Sequence, residues 1–135
     1  MATITEDYVS FDTAKLLKEK GFNCETDMYY SPEGELKCWF PNGLKSWLDN
    51  KGNETWWWKC VAPTLQMAMR WLREVHHLVI QIELIDFLEH GEVWLYYIIE
   101  RKTIRPLTGR DEDFTEHSYE QACEAALKYC LENLI

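Results

Sequence analysis

Five cysteines, four histidines and twenty-three carboxylates give this 135-residue sequence the raw material for nucleophilic or metal chemistry. Cys60 stands just before the helix start at Pro63-Thr64, and His76, His77 and Asp86 follow. A thiolate forms where a helix N-terminus or a nearby imidazolium lowers the thiol pKa, so the parts of a thiol nucleophile are present. No local signature accompanies them, and the helix begins several residues beyond Cys60. A strand cysteine packed in a core accounts for the same residue, because cysteine is among the most commonly buried types. Glu74 and His77 are three apart on a helix, with His76 adjacent, but neighbouring helical residues point about 100° apart. A closed zinc site needs about four convergent ligands. Cys123 and Cys130 share a helical face but lie about 10 Å apart along the axis, too far for one ion. The glycines at 21, 34, 43, 52, 91 and 109 are isolated, with neither GxGxxG nor GxxxxGK among them. No catalytic, cofactor-binding or metal-binding residue is therefore assigned, and no cofactor is expected.

Aromatic side chains form the stronger signal, with seven Trp and seven Tyr. They include Tyr29, Tyr30, Trp39, Trp47, the run Trp56-Trp57-Trp58, Trp94, Tyr96 and Tyr97. Strand alternation sends Trp56 and Trp58 to one sheet face and Trp57 to the other, and likewise separates Trp94 and Tyr96 from Tyr97. Helices packed on one face cannot cover both sets. Trp57, Trp94, Tyr96, Tyr97 and Trp47 are therefore the candidate interaction surface, with a large core edged by amphipathic rings as the plain alternative. The net charge of −9 and a pI near 4.9 repel phosphate backbones, so direct nucleic-acid binding is not expected. The longest basic group, Lys15, Lys18 and Lys20, is diluted by Glu19. Asp111, Glu112, Asp113 and Glu116 form a candidate acidic patch that continues to Glu120 and Glu124. Part of it adjoins the start of the last helix, where negative charge stabilises the helix dipole in any case.

Three helices and several strands must position these groups. Ser10 opens a first helix that ends at Gly21, with Phe22 folding back onto Leu17. Residues 26–30 and 36–40 read as strands joined at Ser31-Pro-Glu-Gly-Glu35. Leu-Lys-Ser-Trp-Leu-Asp, residues 44–49, forms a short helical piece, and 55–61 a further strand. Thr64 caps the central helix, whose inner face carries Leu65, Ala68, Met69, Leu72, Val75 and His76. Ile80, Ile82 and Leu84 alternate with Gln81 and Glu83 in the next strand. Val93 to Ile99 is nearly all apolar, as in a central strand, and His90-Gly91 turns the pair into an antiparallel hairpin. Residues 102–117 connect this hairpin to the last helix, part of them expected as either a further edge strand around Ile104 or a mobile loop. Ser118 and Gln121 form a capping box. Ala122, Ala126, Tyr129, Cys130 and Asn133 or Leu134 trace the inner face of that helix, and Glu120, Glu124, Lys128 and Glu132 its outer column.

The stretches APTLQMAMRWLREVH, with the strand pair after it, and SYEQACEAALKYCLENLI resemble a family of small proteins from phages and mobile elements of gut bacteria. The resemblance runs from SFDTAKLLKEKGF to the C-terminus and rests on structural motifs. That family has no established activity, so it implies a cytoplasmic protein of phage descent and assigns no functional residue. The acidic, polar first twelve residues do not read as an export signal, and Val93 to Ile99 is too short to span a bilayer. Scattered cysteines without CxxC fit reduced thiols in a cytoplasm, with no membrane partner.

The expected fold is a single α+β domain over residues 1–135. It holds one antiparallel sheet of four or five strands, with the central and C-terminal helices on one face. The order is α-β-β-(short α)-β-α-β-β-α. The expected function is a non-enzymatic cytoplasmic interaction protein that binds an unknown protein partner or itself, as a homodimer, through an aromatic sheet surface. The alternative is an acidic inhibitor or nucleic-acid mimic acting on a host enzyme, and a thiol enzyme comes third.

Overall fold

The computed structural model describes residues 6–24, 26, 28–38, 60–87, 91–108 and 115–135. They form an α+β protein whose chain divides into two compact units, one of residues 8–63 and one of residues 1–7 with 64–135.

In the first unit, helix α1 (Phe11–Glu19) starts where Ser10 accepts a hydrogen bond from the Thr13 backbone N–H. It ends in a Schellman motif. The N–H of Phe22 donates to the Leu17 carbonyl and that of Gly21 to the Lys18 carbonyl, with Gly21 at φ +94°. Phe22 and Leu17 are both buried, as the cap requires. Strands β1 (Met28–Tyr30) and β2 (Leu36–Cys38) form an antiparallel hairpin. Its turn is closed by Gly34 N–H donating to the Ser31 carbonyl at 2.9 Å. Gly34 stands at φ +86°, and a Cβ there would meet Phe11 Cδ2 at 2.8 Å. Phe11 in turn stacks on Tyr30, with ring centroids 5.3 Å apart, and the Tyr30 hydroxyl donates to the Val9 carbonyl. Strand β3 (Cys60–Val61) pairs with the other edge of β1, giving the order β2-β1-β3.

The second unit opens at α2 (Leu65–Val75), where Thr64 accepts from the Met67 N–H. Strands β4 (Leu78–Phe87) and β5 (Gly91–Glu100) form a ten-pair antiparallel ladder, from Leu78 opposite Glu100 to Phe87 opposite Gly91. The far side of β5 carries β6 (Arg105–Pro106) at one end and β7 (Thr115–Glu116) at the other. β5 is thus central, and the edge strand expected near Ile104 is β6. Just past β6 the Leu107 N–H donates to the Ile98 carbonyl, and the buried Thr108 hydroxyl accepts from the Ile98 N–H at 2.9 Å. Helix α3 (Tyr119–Asn133) begins where Ser118 accepts from the Gln121 N–H. It lays Ala122 and Ala126 over Tyr96, with Ile80, Ile82, Trp94 and Tyr129 around them.

The structure corrects four expectations. The described strands form two sheets rather than one. β4 and β5 pair with each other, β5 also takes β6 and β7, and β3 joins the free edge of β1 in the smaller sheet. Val75 lies on the apolar meridian of α2 yet is 54% exposed, because it sits in the last turn, beyond the covering elements. Trp71 is buried in its place, its ring edge-on to His76 with centroids 4.7 Å apart. The buried stripe of α3 is broader than expected, taking in Cys123, Leu127 and Leu131, because this helix packs on both the sheet and α2. Asn133, at the helix end, is exposed. The short helix expected over residues 44–49 lies outside the described residues.

Candidate functional site

Cross-strand partners in a sheet share a face, so the ladder sorts the side chains of the larger sheet. Ile80, Ile82 and Leu84 share the helix face with Ile98, Tyr96 and Trp94. Gln81 and Glu83 share the other face with Tyr97 and Leu95. The expected separation of Trp94 and Tyr96 from Tyr97 holds. Tyr96 is buried under α3, so its ring is core, and burial together with the nearby Glu116 charge raises its phenol pKa. Tyr97 is half-buried on the opposite face.

Trp94 occupies a different setting, near the end of the ladder. Leu84 lies opposite it on β4 and Glu116 opposite it on β7, giving a row Leu84–Trp94–Glu116 across three strands. Leu84 is 48% exposed and Trp94 is half-buried. Tyr119, in the first turn of α3, stands edge-on to Trp94 with centroids 5.6 Å apart. Its hydroxyl accepts from Gln66 Nε2 at 3.1 Å, which ties the start of α2 to the start of α3. Burial raises the Tyr119 pKa, and the charge of Glu120 adds to the effect, so the phenol is neutral at physiological pH. The next rung on the same face pairs Asp86 with Glu92, both exposed. The structure therefore brings together one member of the aromatic set, Trp94, and one of the acidic set, Glu116. Trp47 and Trp57 lie outside the described residues, as do Asp111, Glu112 and Asp113.

A basic feature lies at the other end of the same strands. Between Glu100 and Arg105, which pair across β5 and β6, residues 101–104 make a four-residue turn. Arg101, Lys102, Ile104 and Arg105 are all exposed there. Arg101, Lys102 and Arg105 lie within five residues of sequence, and the turn sets them on one exposed tip with Ile104.

The cysteines are free, and three of them are poor nucleophiles. Burial pushes the Cys123 thiol up to about 11 and the Cys130 thiol up to about 12. Burial also raises Cys60, partly opposed by Lys18 and Lys15. Cys24 and Cys38 are exposed. His76 projects a buried Nε2 that has no hydrogen-bond partner among the described residues, and burial followed by the charge of His77 lowers its pKa. Glu74 is engaged by Arg73 at 3.7 Å and by Arg101 at 3.3 Å, which takes it out of the Glu74–His77 pair considered as ligands. Among the described residues no three His, Cys, Asp or Glu side chains converge on a metal position. No described helix is long and apolar enough to cross a membrane.

Comparison of the chain with protein-family models, with curated proteins and with solved structures finds no match in any of the three.

Proposed function

We propose that this chain is a non-enzymatic interaction protein that holds a protein partner on the Leu84–Trp94–Glu116 row, beside Tyr119. The observation that carries this reading is an accessible leucine next to a half-buried tryptophan, on a rigid ladder and rimmed by carboxylates. Tryptophan and tyrosine supply large contact areas at low entropic cost, which is why they recur as binding anchors. The acidic rim selects a partner whose contact surface is basic. Free cysteines throughout support a reducing compartment, the cytoplasm, as the place of action.

The test is site-specific photo-crosslinking in living cells. A benzophenone side chain at position 84 is compared with one at the exposed position 128, on the outer column of α3. The expected result is a discrete protein adduct from position 84 that disappears with Trp94→Ala, while the circular dichroism of that variant stays native. Equal adduct patterns from both positions, or no adduct from position 84, would refute the proposal.

A further inference from the structure

We infer that the partner is a second copy of this chain, with the β5–β6 hairpin tip of one copy seated on the Leu84–Trp94 row of the other. This rests on the reading of that row as a binding surface and names its occupant.

The tip is a built turn. The Glu100 carboxylate accepts from the backbone N–H groups of Lys102 and Thr103, at 3.2 and 2.8 Å, and from the Thr103 hydroxyl. Those bonds, above all the hydroxyl's, hold the Glu100 pKa below its usual value. The Arg101 guanidinium donates to the Arg73 carbonyl and to Glu74, each at 3.3 Å, anchoring the turn to the end of α2. What this turn presents is Ile104, 74% exposed, at φ +54°. Glycine or asparagine adopts that backbone readily, whereas a β-branched residue there is strained. An isoleucine so placed gains little packing from its own chain, and a partner surface supplies what is missing. Lys102 and Arg105 flank it, both exposed.

The row has the complementary character. Asp86 and Glu92 face each other directly across β4 and β5, an arrangement of like charges that is unfavourable until a cation joins it. The basic tip belongs to a chain of net charge −9, so a further copy is itself an acidic partner. The tip of one copy cannot reach that copy's own row. Trp94 and Glu100 are six residues apart on β5, about 20 Å. Two copies related by a two-fold axis can each offer a tip and receive one, and such an interface closes at the dimer. An anionic membrane is a weaker match, because it calls for clusters of about four to eight basic residues and selects no fixed turn.

The test is sedimentation velocity on the full chain, over a concentration series, with two charge-reversed variants. One carries Lys102→Glu with Arg105→Glu, and the other Asp86→Lys with Glu92→Lys. The wild type is expected to dimerise, and each variant alone to associate at least about tenfold more weakly. Mixing the two variants restores the dimer, since both contacts then pair opposite charges. Ile104→Asn, which suits the backbone but removes the apolar side chain, gives a monomer with native circular dichroism. A wild type that stays monomeric up to its solubility limit overturns the inference, as does a mixture of variants that fails to dimerise. Monomeric protein that still crosslinks from position 84 to another protein would overturn this inference alone. Monomeric protein with no such adduct would remove both readings.

Discussion

Replacing Ile104 by glycine and, separately, by alanine isolates the strain at the hairpin tip. Both substitutions remove the same branched side chain, which is mostly in water, so any packing loss is nearly shared. They differ in what happens at φ +54°. Alanine keeps a Cβ and with it the left-handed penalty of about 1–2 kcal/mol, which glycine escapes. Glycine gives back about 0.5–1 kcal/mol because its unfolded chain is freer. The glycine variant should therefore be the more stable of the two by about 0.5–1 kcal/mol, or about 3 °C in Tm for a chain of this size. Urea unfolding followed by circular dichroism, with thermal melts as a check, reads the difference directly. Alanine equal to or more stable than glycine would refute the reasoning, because residue 104 could not then occupy the left-handed region in solution.

Three further outcomes are expected. Thr108→Val keeps the side-chain shape but leaves the buried Ile98 N–H without its acceptor, and should destabilise by about 1–3 kcal/mol in urea unfolding; a loss under about 0.5 kcal/mol would mean that water reaches that N–H. His76, whose pKa lies below its ordinary 6.5 mainly through burial, binds a proton less readily folded than unfolded. Its contribution is complete above pH 6.5 and is lost as the pH falls towards the depressed folded value, so His76→Phe should flatten the pH dependence of stability there, and an unchanged slope would count against it. Alkylation of the native protein should modify Cys24 and Cys38 first, with Cys60, Cys123 and Cys130 at least about tenfold slower. Fast, selective modification of Cys60 would reinstate a thiol nucleophile.

Local rules made much of this fold legible. Ser10, Thr64 and Ser118 each cap the helix their sequence context announced, because a cap needs only residues within one turn. Gly21 and Phe22 close α1 for the same reason. The ten-pair hairpin followed from a change of period between α2 and β4 and a turn before Val93. Pairing partners were not legible, since alternation tells a strand which face is apolar but not which edge it joins. The strand pattern is therefore equally compatible with one sheet, whereas the described strands form two. The site was half legible. Trp94 and Glu116 were each singled out, but their adjacency depends on a two-residue strand meeting β5 across a long connection. The basic tip is legible in the sequence as Arg101, Lys102 and Arg105 within five residues; what the turn adds is the exposed Ile104 among them.

Element lengths set how much of the larger sheet the described helices can span. Ten-residue strands run about 33 Å, whereas the fifteen residues of α3 span about 22 Å and the eleven of α2 about 16 Å. Ala122 and Ala126 of α3 pack over Tyr96, with Ile80, Ile82 and Trp94 around them, and the rung beyond, Asp86 opposite Glu92, is exposed. On the helix face the residues of β4 change from Ile82 to Leu84 to Asp86, and those of β5 from Tyr96 to Trp94 to Glu92. The apolar pair at this rung sits at the start of α3, where Tyr119 stands edge-on to Trp94 while Leu84 on the neighbouring strand stays 48% exposed.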